Sequence, residues 1–531
     1  MTAVEQPATA ERERIDDLKM VARGGSLNFI GALASGLLQF ALVVVVTRSL
    51  TRSASGAFFE AIALFLILSN TAELGADTGL TRMIPSYRVN GRVADVRRSL
   101  SVGLVPSFIG GIVLAAASYA LAGPLASVFT NHRHADASAV ATYIRVLAVF
   151  LPLSSAYTVA VAATRGFGTM VPNVLVDRIG KSAAQTGAVA VAVLAGGGSF
   201  AVAVAWGIPI GIGFAVTLVW LGRLVHRVAR REQATKPATP LRRLAREFWV
   251  FTAPRGLTGV LQVTTLWIGT LLVGSLMDTA HASIYTASTR YLVAGSVVNM
   301  AIIQAIGPKL SELLTAGARE RAMEVYQVAT AWLVTMAWPM YLGLGVFAPL
   351  LLRVFKPQYV SGTASLEILA VTMLVATGIG PVDMVLLMGG RSFWNLFNVI
   401  VALSVNLALS FLLIPRIGIA GAAIAWAGSI LINNVAPLAE VRAFLRVHPF
   451  GRGFPVAAGS SLLCYGVLGL ALRATLGTTV PALLICIVVG TAGYAALLWT
   501  FRDRVELELL AGTLRSRRRR RPPAAPVASS G

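Results

Sequence analysis

The chain is poor in charge, and poorest in acids. Only 13% of its 531 residues are charged, and Asp plus Glu number 23 against 45 Lys plus Arg. Two cysteines, Cys464 and Cys486, are too few for a disulfide framework and sit in apolar segments, where they behave as small hydrophobes. The five histidines, at 132, 134, 226, 281 and 448, show no metal-ligand spacing. No GxxxxGKS/T loop, HExxH or GxSxG occurs, and no polar stretch is long enough for a nucleotide-binding domain. ATP hydrolysis by this chain is thereby excluded, and no cofactor or metal is expected. The first 23 residues mix acids and bases without a short apolar core, so no cleaved signal is expected.

What is abundant is hydrophobic: 56% of residues and a mean hydropathy of +0.74, more than one soluble core needs. A bilayer span takes roughly 20 apolar residues, and fourteen such runs fit: 24–47, 55–79, 99–123, 137–163, 172–195, 199–222, 248–276, 281–308, 325–350, 362–388, 394–414, 418–441, 454–472 and 479–501. A backbone in lipid must satisfy its own hydrogen bonds, and these runs far exceed the roughly 10 residues of alternation in a barrel strand. The fold class is therefore an all-α polytopic membrane protein with about fourteen transmembrane helices.

Charge orients it. With the N-terminus in the cytoplasm, 33 of the 45 basic residues fall in inward segments, 7 in outward ones and 5 inside spans, which obeys the positive-inside rule. Both termini are expected in the cytoplasm, with Arg223–Arg246 and the Arg515–Arg521 run as the largest contributions. The net charge of +22 could suggest nucleic acid, but a polybasic segment after a last span more simply holds anionic lipid of the inner leaflet, at about 1 kcal/mol per cation. Nucleic acid is not an expected partner. Outward loops are short, the longest being 124–136, which argues against enzymes that keep their chemistry in large outer loops and leaves transport as the leading class.

Weak internal repetition supports that class. The first span (VARGGSLNFIGALASGLLQF) and the seventh (FTAPRGLTGVLQVTTLWIG) both carry a mid-helix Gln, Gln39 and Gln262. Spans two and eight both close on a Pro, Pro85 and Pro308. Two parallel six-helix repeats are an arrangement that transporters use to alternate access to a central pathway. The expected division is a tail (1–23), an N-lobe (24–222), a basic linker (223–247), a C-lobe (248–441), two appended spans (442–501) and a basic tail (502–531).

The segments KMVARGGSLNFIGALASGLLQFALVVVVTRSL, SGAFFEAIALFLILSNTAELGADTGLTRMIPSY, RGFGTMVPN and IYTASTRYLVAGSVVNMAIIQAIGPKLSELLTAG resemble the Wzx-type polysaccharide flippases of the multidrug/oligosaccharidyl-lipid/polysaccharide exporter superfamily. The resemblance covers spans 1 to 12 through diffuse patterns of small residues. It implies two helical lobes that flip a polyprenyl-diphosphate-linked oligosaccharide across the bacterial inner membrane, with polysaccharide polymerase and glycosyltransferases as further partners. A lipid II flippase and a cation-coupled multidrug exporter are rivals in the same superfamily; a membrane glycosyltransferase or polymerase is the rival from another class.

A diphosphate must be neutralised, so cations inside spans are the first candidates. They are Arg145, Arg178, Lys181, Arg255 and Arg290. Each costs about 2.5–3.5 kcal/mol to insert unless it meets water or a partner. Arg290 and Gln304 lie 14 residues apart, nearly one face of a continuous helix, with Ala294, Val297 and Ala301 between them. Arg178 and Lys181 accompany Asp177, which forms an i,i+4 pair with Lys181, so a neutralised structural cluster competes with an anion clamp. Arg255 follows Pro254 and has a kink-supporting alternative; Arg145 is near enough to the surface to snorkel. The expected substrate-binding set is Arg290, Arg255, Arg178, Lys181, Gln304, Gln39 and Gln262. Coupling-ion candidates are Glu60 and the i, i+3, i+7 series Asn70, Glu73, Asp77, for which pairing with Arg82, Arg97 or Arg98 is the alternative.

Overall fold

Residues 29–130, 134–232 and 237–505 are described by a computed structural model, and no strand occurs among them. The N-terminal tail, the start of the first span, the 131–133 loop with His132, the Arg515–Arg521 run and the side chain of Gln304 lie outside the described residues. The all-helical expectation holds, and capping explains several boundaries. After α1 (Phe29–Ser49), α2 (Arg52–Glu73) starts where Thr51 accepts a hydrogen bond from the Ala54 N–H. It stops at Leu74 and Gly75, whose φ values of 50° and 77° are left-handed.

Then come α3 (Ala76–Val89), α4 (Val93–Ala120), α5 (Ala122–Phe129), α6 (His134–Ala148) and α7 (Leu151–Gly166). The expected fourth span is bent by 49° between α6 and α7, with Pro152 in the first turn of α7, where its missing N–H costs nothing. A π-helix, Asn173–Lys181, leads into α8 (Ser182–Leu194), followed by α9 (Ser199–Arg231) and α10 (Leu241–Leu276). At 36 residues, α10 is about 54 Å long and outruns a hydrocarbon core of about 30 Å. Both α9 and α10 therefore extend into the expected linker, and only the stretch around 232–240 is left between them.

Next are α11 (Thr279–Arg290), α12 (Val293–Thr315), α13 (Arg319–Val346), α14 (Ala348–Leu352), α15 (Thr363–Ile379), α16 (Val382–Met388), α17 (Ser392–Ile417) and α18 (Ile419–Phe444). Gly380 at φ 74° and Pro381 break the tenth span between α15 and α16. The chain closes with α19 (Gly453–Ser461), a π-turn at Leu462–Val467, α20 (Leu468–Leu476) and α21 (Val480–Thr500).

Among the described residues, eleven helices are long and apolar enough to span a bilayer, twelve if the bent α6–α7 pair is one span. The expected count of fourteen is thus not reached on length and apolarity. The two runs that fall short, 172–195 and 281–308, are helical but interrupted, one by charges in a π-helix and the other by a break at Tyr291–Leu292.

Packing centres on α2, which lies against α4, α6 and α7 on one side and α10 and α11 on the other. Small residues permit this. A Cβ on Gly56 would collide with the Thr279 carbonyl oxygen, so α2 and α11 touch backbone to backbone. Helices α13, α15, α17 and α18 form a second group, and α19 leans on α13. At one end Arg48 Nε donates to the Val354 carbonyl and Lys356 Nζ to the Leu50 carbonyl, both at 2.7 Å. At the opposite end the α9–α10 connection is strapped to the α3–α4 loop. Buried Asp95 accepts from Thr239 N, Thr239 Oγ1 and Arg92 Nε at 2.9, 2.6 and 2.8 Å, and Arg88 pairs with Glu232.

Candidate functional site: two cation-lined cavities

Four of the five intramembrane cations are gathered into two cavities, and Arg145 lines neither. The central one encloses about 190 Å³ and draws its walls from α1, α2, α7, the Asn173–Lys181 π-helix, α8, α9, α10 and α11. Four of the expected substrate-binding residues line it: Gln39, Arg178, Lys181 and Arg290. Their convergence across 251 positions of sequence follows from α2 lying between the two helix groups, so that α11 faces the π-helix across the cavity.

Lys181 Nζ pairs with Asp177 Oδ1 and sits 5.1 Å from the Tyr157 ring centroid. Arg178 forms no ion pair among the described residues; its side chain instead packs near Gly31 of α1. Arg290, the last residue of α11, stacks 4.3 Å over Trp267, and its buried Nε has no hydrogen-bond partner. Stacking satisfies the guanidinium face and leaves the N–H edge available. Gln39 donates to Ser35 Oγ, which meets Ser182 Oγ at 3.2 Å. Gln185 donates to the Trp206 carbonyl at 3.0 Å. Three cations against Asp177 leave a formal +2 in a partly apolar chamber. Such a chamber can hold a dianion, because low dielectric strengthens each contact.

The second cavity, about 420 Å³, lies toward the strapped, basic end of the bundle and is lined by Asp77, Thr78, Thr81, Arg82, Arg165, Phe251 and Arg255. Arg255 is therefore not in the central cavity. On α10 it stands 12 residues from Trp267, about 18 Å along the axis. Between the cavities α10 meets the α2–α3 break. A Cβ on Gly256 would strike the Leu74 carbonyl, and one on Gly75 would lie 2.6 Å from Gly256 N. No side chain fits at this pinch, and Gly75 also needs its positive φ.

The remaining expected residues are dispersed. Gln262 is exposed on α10 and lines neither cavity, so the Gln39–Gln262 correspondence does not extend to position. The shared face proposed for Arg290 and Gln304 requires one continuous helix. Instead Leu292 N bonds to the Thr289 carbonyl and Gly295 N to the Leu292 carbonyl, a tight turn that resets the phase between α11 and α12. Likewise Asn70, Glu73 and Asp77 do not share one helix face, because two left-handed residues separate Asp77 from the others. Glu73 is buried beside Thr158, Asn70 faces Gly259, and Asp77 opens into the second cavity. Neither Glu73 nor Asp77 forms an ion pair with Arg82, Arg97 or Arg98 among the described residues. Glu60 is fully buried near Gly274 and outside both cavities. Arg145 is exposed at the end of α6.

Sequence reasoning missed Arg82, Arg165, Phe251, Trp267 and Tyr157. Arg82 and Arg165 lie just outside the apolar runs, among the inward-facing charges. The only available signal was Phe251 one helical turn before Arg255 on the same face.

The fold is that of a polytopic helical membrane protein organised around an internal charged cavity. The chain belongs to the polysaccharide biosynthesis protein family, whose model matches residues 21–314, within the exporter superfamily expected above. Comparison with curated sequences finds no match. Among solved structures, the lipid II flippase MurJ in an inward closed conformation aligns with a TM-score of 0.67 at 12% identity, covering 89% of this chain and 98% of that one. An inward-facing multidrug resistance MATE family transporter aligns at 0.57 with 15% identity over 78% and 94% of the two chains. The Vibrio cholerae MATE transporter VcmN aligns at 0.58 with 17% identity over 81% and 97%. At these identities the likeness is one of fold.

Proposed function

We propose that this protein is a flippase, not an enzyme, that carries a polyprenyl-diphosphate-linked oligosaccharide from the inner to the outer leaflet of a bacterial cytoplasmic membrane by alternating access. The observation that carries this reading is the central cavity. Arg178, Lys181 and Arg290 supply a formal +2 after Asp177, matched to a diphosphate, while Gln39 and Gln185 offer amide groups to sugars. The polyprenyl tail needs no site, since it can stay in lipid. On this reading both termini lie in the cytoplasm, where the Arg run would hold anionic lipid, and the lobes are 24–222 and 248–441.

Lipid II is a second reading, favoured by one observation: the alignment with MurJ reaches 98% of that flippase. Both cargoes carry the same diphosphate, so the cavity charge does not separate them. Deletion followed by mass spectrometry of accumulated polyprenyl-diphosphate intermediates does. Oligosaccharide-bearing intermediates without peptide support the first reading, peptide-bearing ones support lipid II, and no accumulation of either removes both.

A further inference from the structure

The second cavity is a convergence of like charges with little to hold them there. Arg82 comes from α3, Arg165 from the last turn of α7 and Arg255 from α10. None of the three forms an ion pair among the described residues. Asp77 offsets one charge, leaving a formal +2. Arg82 and Arg255 both stack on the Phe251 ring, at 4.2 and 4.9 Å, which orients two planar forks while their N–H edges remain available. Arg165 Nε is buried without a hydrogen-bond partner. Thr81 does not compete as a ligand, since its hydroxyl already bonds the Asp77 and Ala162 carbonyls at 2.8 and 3.2 Å.

Cations of one sign converge from three helices only at a cost, and an anion with several acceptor oxygens would offset that cost. Planar guanidinium edges match phosphate bidentately. We infer that this cavity is a phosphate-headgroup site, separate from the central one, at which a phosphate-bearing lipid docks before the Gly75–Gly256 pinch opens. The order of visits rests on the flippase reading; the binding chemistry does not. The headgroup could belong to the diphosphate cargo or to an anionic glycerophospholipid, and the test distinguishes them.

Full-length protein in phosphatidylcholine nanodiscs is titrated with radiolabelled pyrophosphate. Two saturable classes are expected. Arg82→Gln with Arg165→Gln should weaken one class at least tenfold, and Arg178→Gln with Arg290→Gln should remove the other. If the Arg82/Arg165 pair leaves both classes unchanged, the inference is overturned, whatever the central pair does. If only the central pair has no effect, the flippase reading loses its anchor while this site stands. Should the Gln pair fail to fold, Phe251→Leu decides: severalfold weakening of this class alone supports the site, and no change overturns it. Thr78→Cys then reports the source. Protection from a thiol reagent by added polyprenyl diphosphate identifies cargo, protection by phosphatidylglycerol identifies bilayer lipid, and protection by neither rejects a headgroup site.

Discussion

The two cavities carry the same formal charge and differ in nearly everything else. The central one mixes cations with glutamines, hydroxyls and aromatic rings, and one of its cations is already paired, Lys181 with Asp177. The second holds arginines, threonines and one acid around a single phenylalanine. Equal charge does not make equal sites. Amides beside cations suit the sugar diphosphate proposed for the central chamber, whereas forks and space suit the phosphate inferred for the second.

The largest expected effect comes from the deepest cation. Arg290→Ala removes the guanidinium that stacks on Trp267 and presents a donor edge to the central cavity. Truncating one side of a buried charged contact costs about 2–5 kcal/mol, so transport in reconstituted vesicles should fall on the order of 100-fold while protein abundance stays within about twofold. Arg290→Lys should recover only part of it, since a point charge replaces a fork. Full transport in the Ala variant would leave the central cavity without its main contact and collapse the distinction between the chambers.

Next is the close Gly75–Gly256 contact between α10 and the α2–α3 break. Gly256→Ala places a methyl against the Leu74 carbonyl, and overpacking of this kind costs about 1–3 kcal/mol. On the inference that opening parts this contact, the cost falls on the closed arrangement and the population shifts toward opening at the basic end. Transport should drop roughly tenfold with pyrophosphate binding retained, and a Ser35→Cys probe should label faster from that end. Unchanged labelling would mean the glycine contact is packing and not a gate.

How far these sites were legible differs residue by residue. Arg178, Lys181 and Arg290 were readable because a cation deep in an apolar run has few alternatives to a cavity, and they do meet. Arg82 and Arg165 were not, because α3 and the last turn of α7 carry the helix past the apolar runs and turn apparent loop residues into chamber walls. The break after Glu73 left a visible trace, Gly75. The break at Tyr291–Leu292 contains neither glycine nor proline, so nothing in the sequence warned that the Arg290–Gln304 face would lose its phase. Local chemistry was legible; helix phase across an unmarked turn was not.

Glu73 sharpens the comparison from a third position, buried on α2 just before the pinch and outside both chambers. If it carries a proton or cation, its occupancy must differ between the two access states, since a ligand drives an equilibrium only through differential affinity. Glu73→Gln should bind pyrophosphate normally but lose a severalfold stimulation of transport by an imposed pH or sodium gradient. An unmodified protein indifferent to both gradients would end the coupling idea.

The smallest effect has a sign that decides between two roles for one residue. Asp77 was grouped with Glu73 as a coupling-ion ligand, yet the α2–α3 break puts it among Arg82, Arg165 and Arg255. There its charge opposes anion binding, so Asp77→Asn should raise the formal charge from +2 to +3 and tighten pyrophosphate at the second cavity. A unit charge at about 8 Å in a partly hydrated site is worth roughly 0.5–1 kcal/mol, or about two- to fivefold in affinity. The gain should shrink in 1 M salt, where screening acts over about 3 Å, and the central class should not move. Were Asp77 instead a ligand for a coupling cation, the same substitution would leave pyrophosphate affinity flat and abolish gradient dependence, so an affinity that fails to rise would return Asp77 to the company of Glu73.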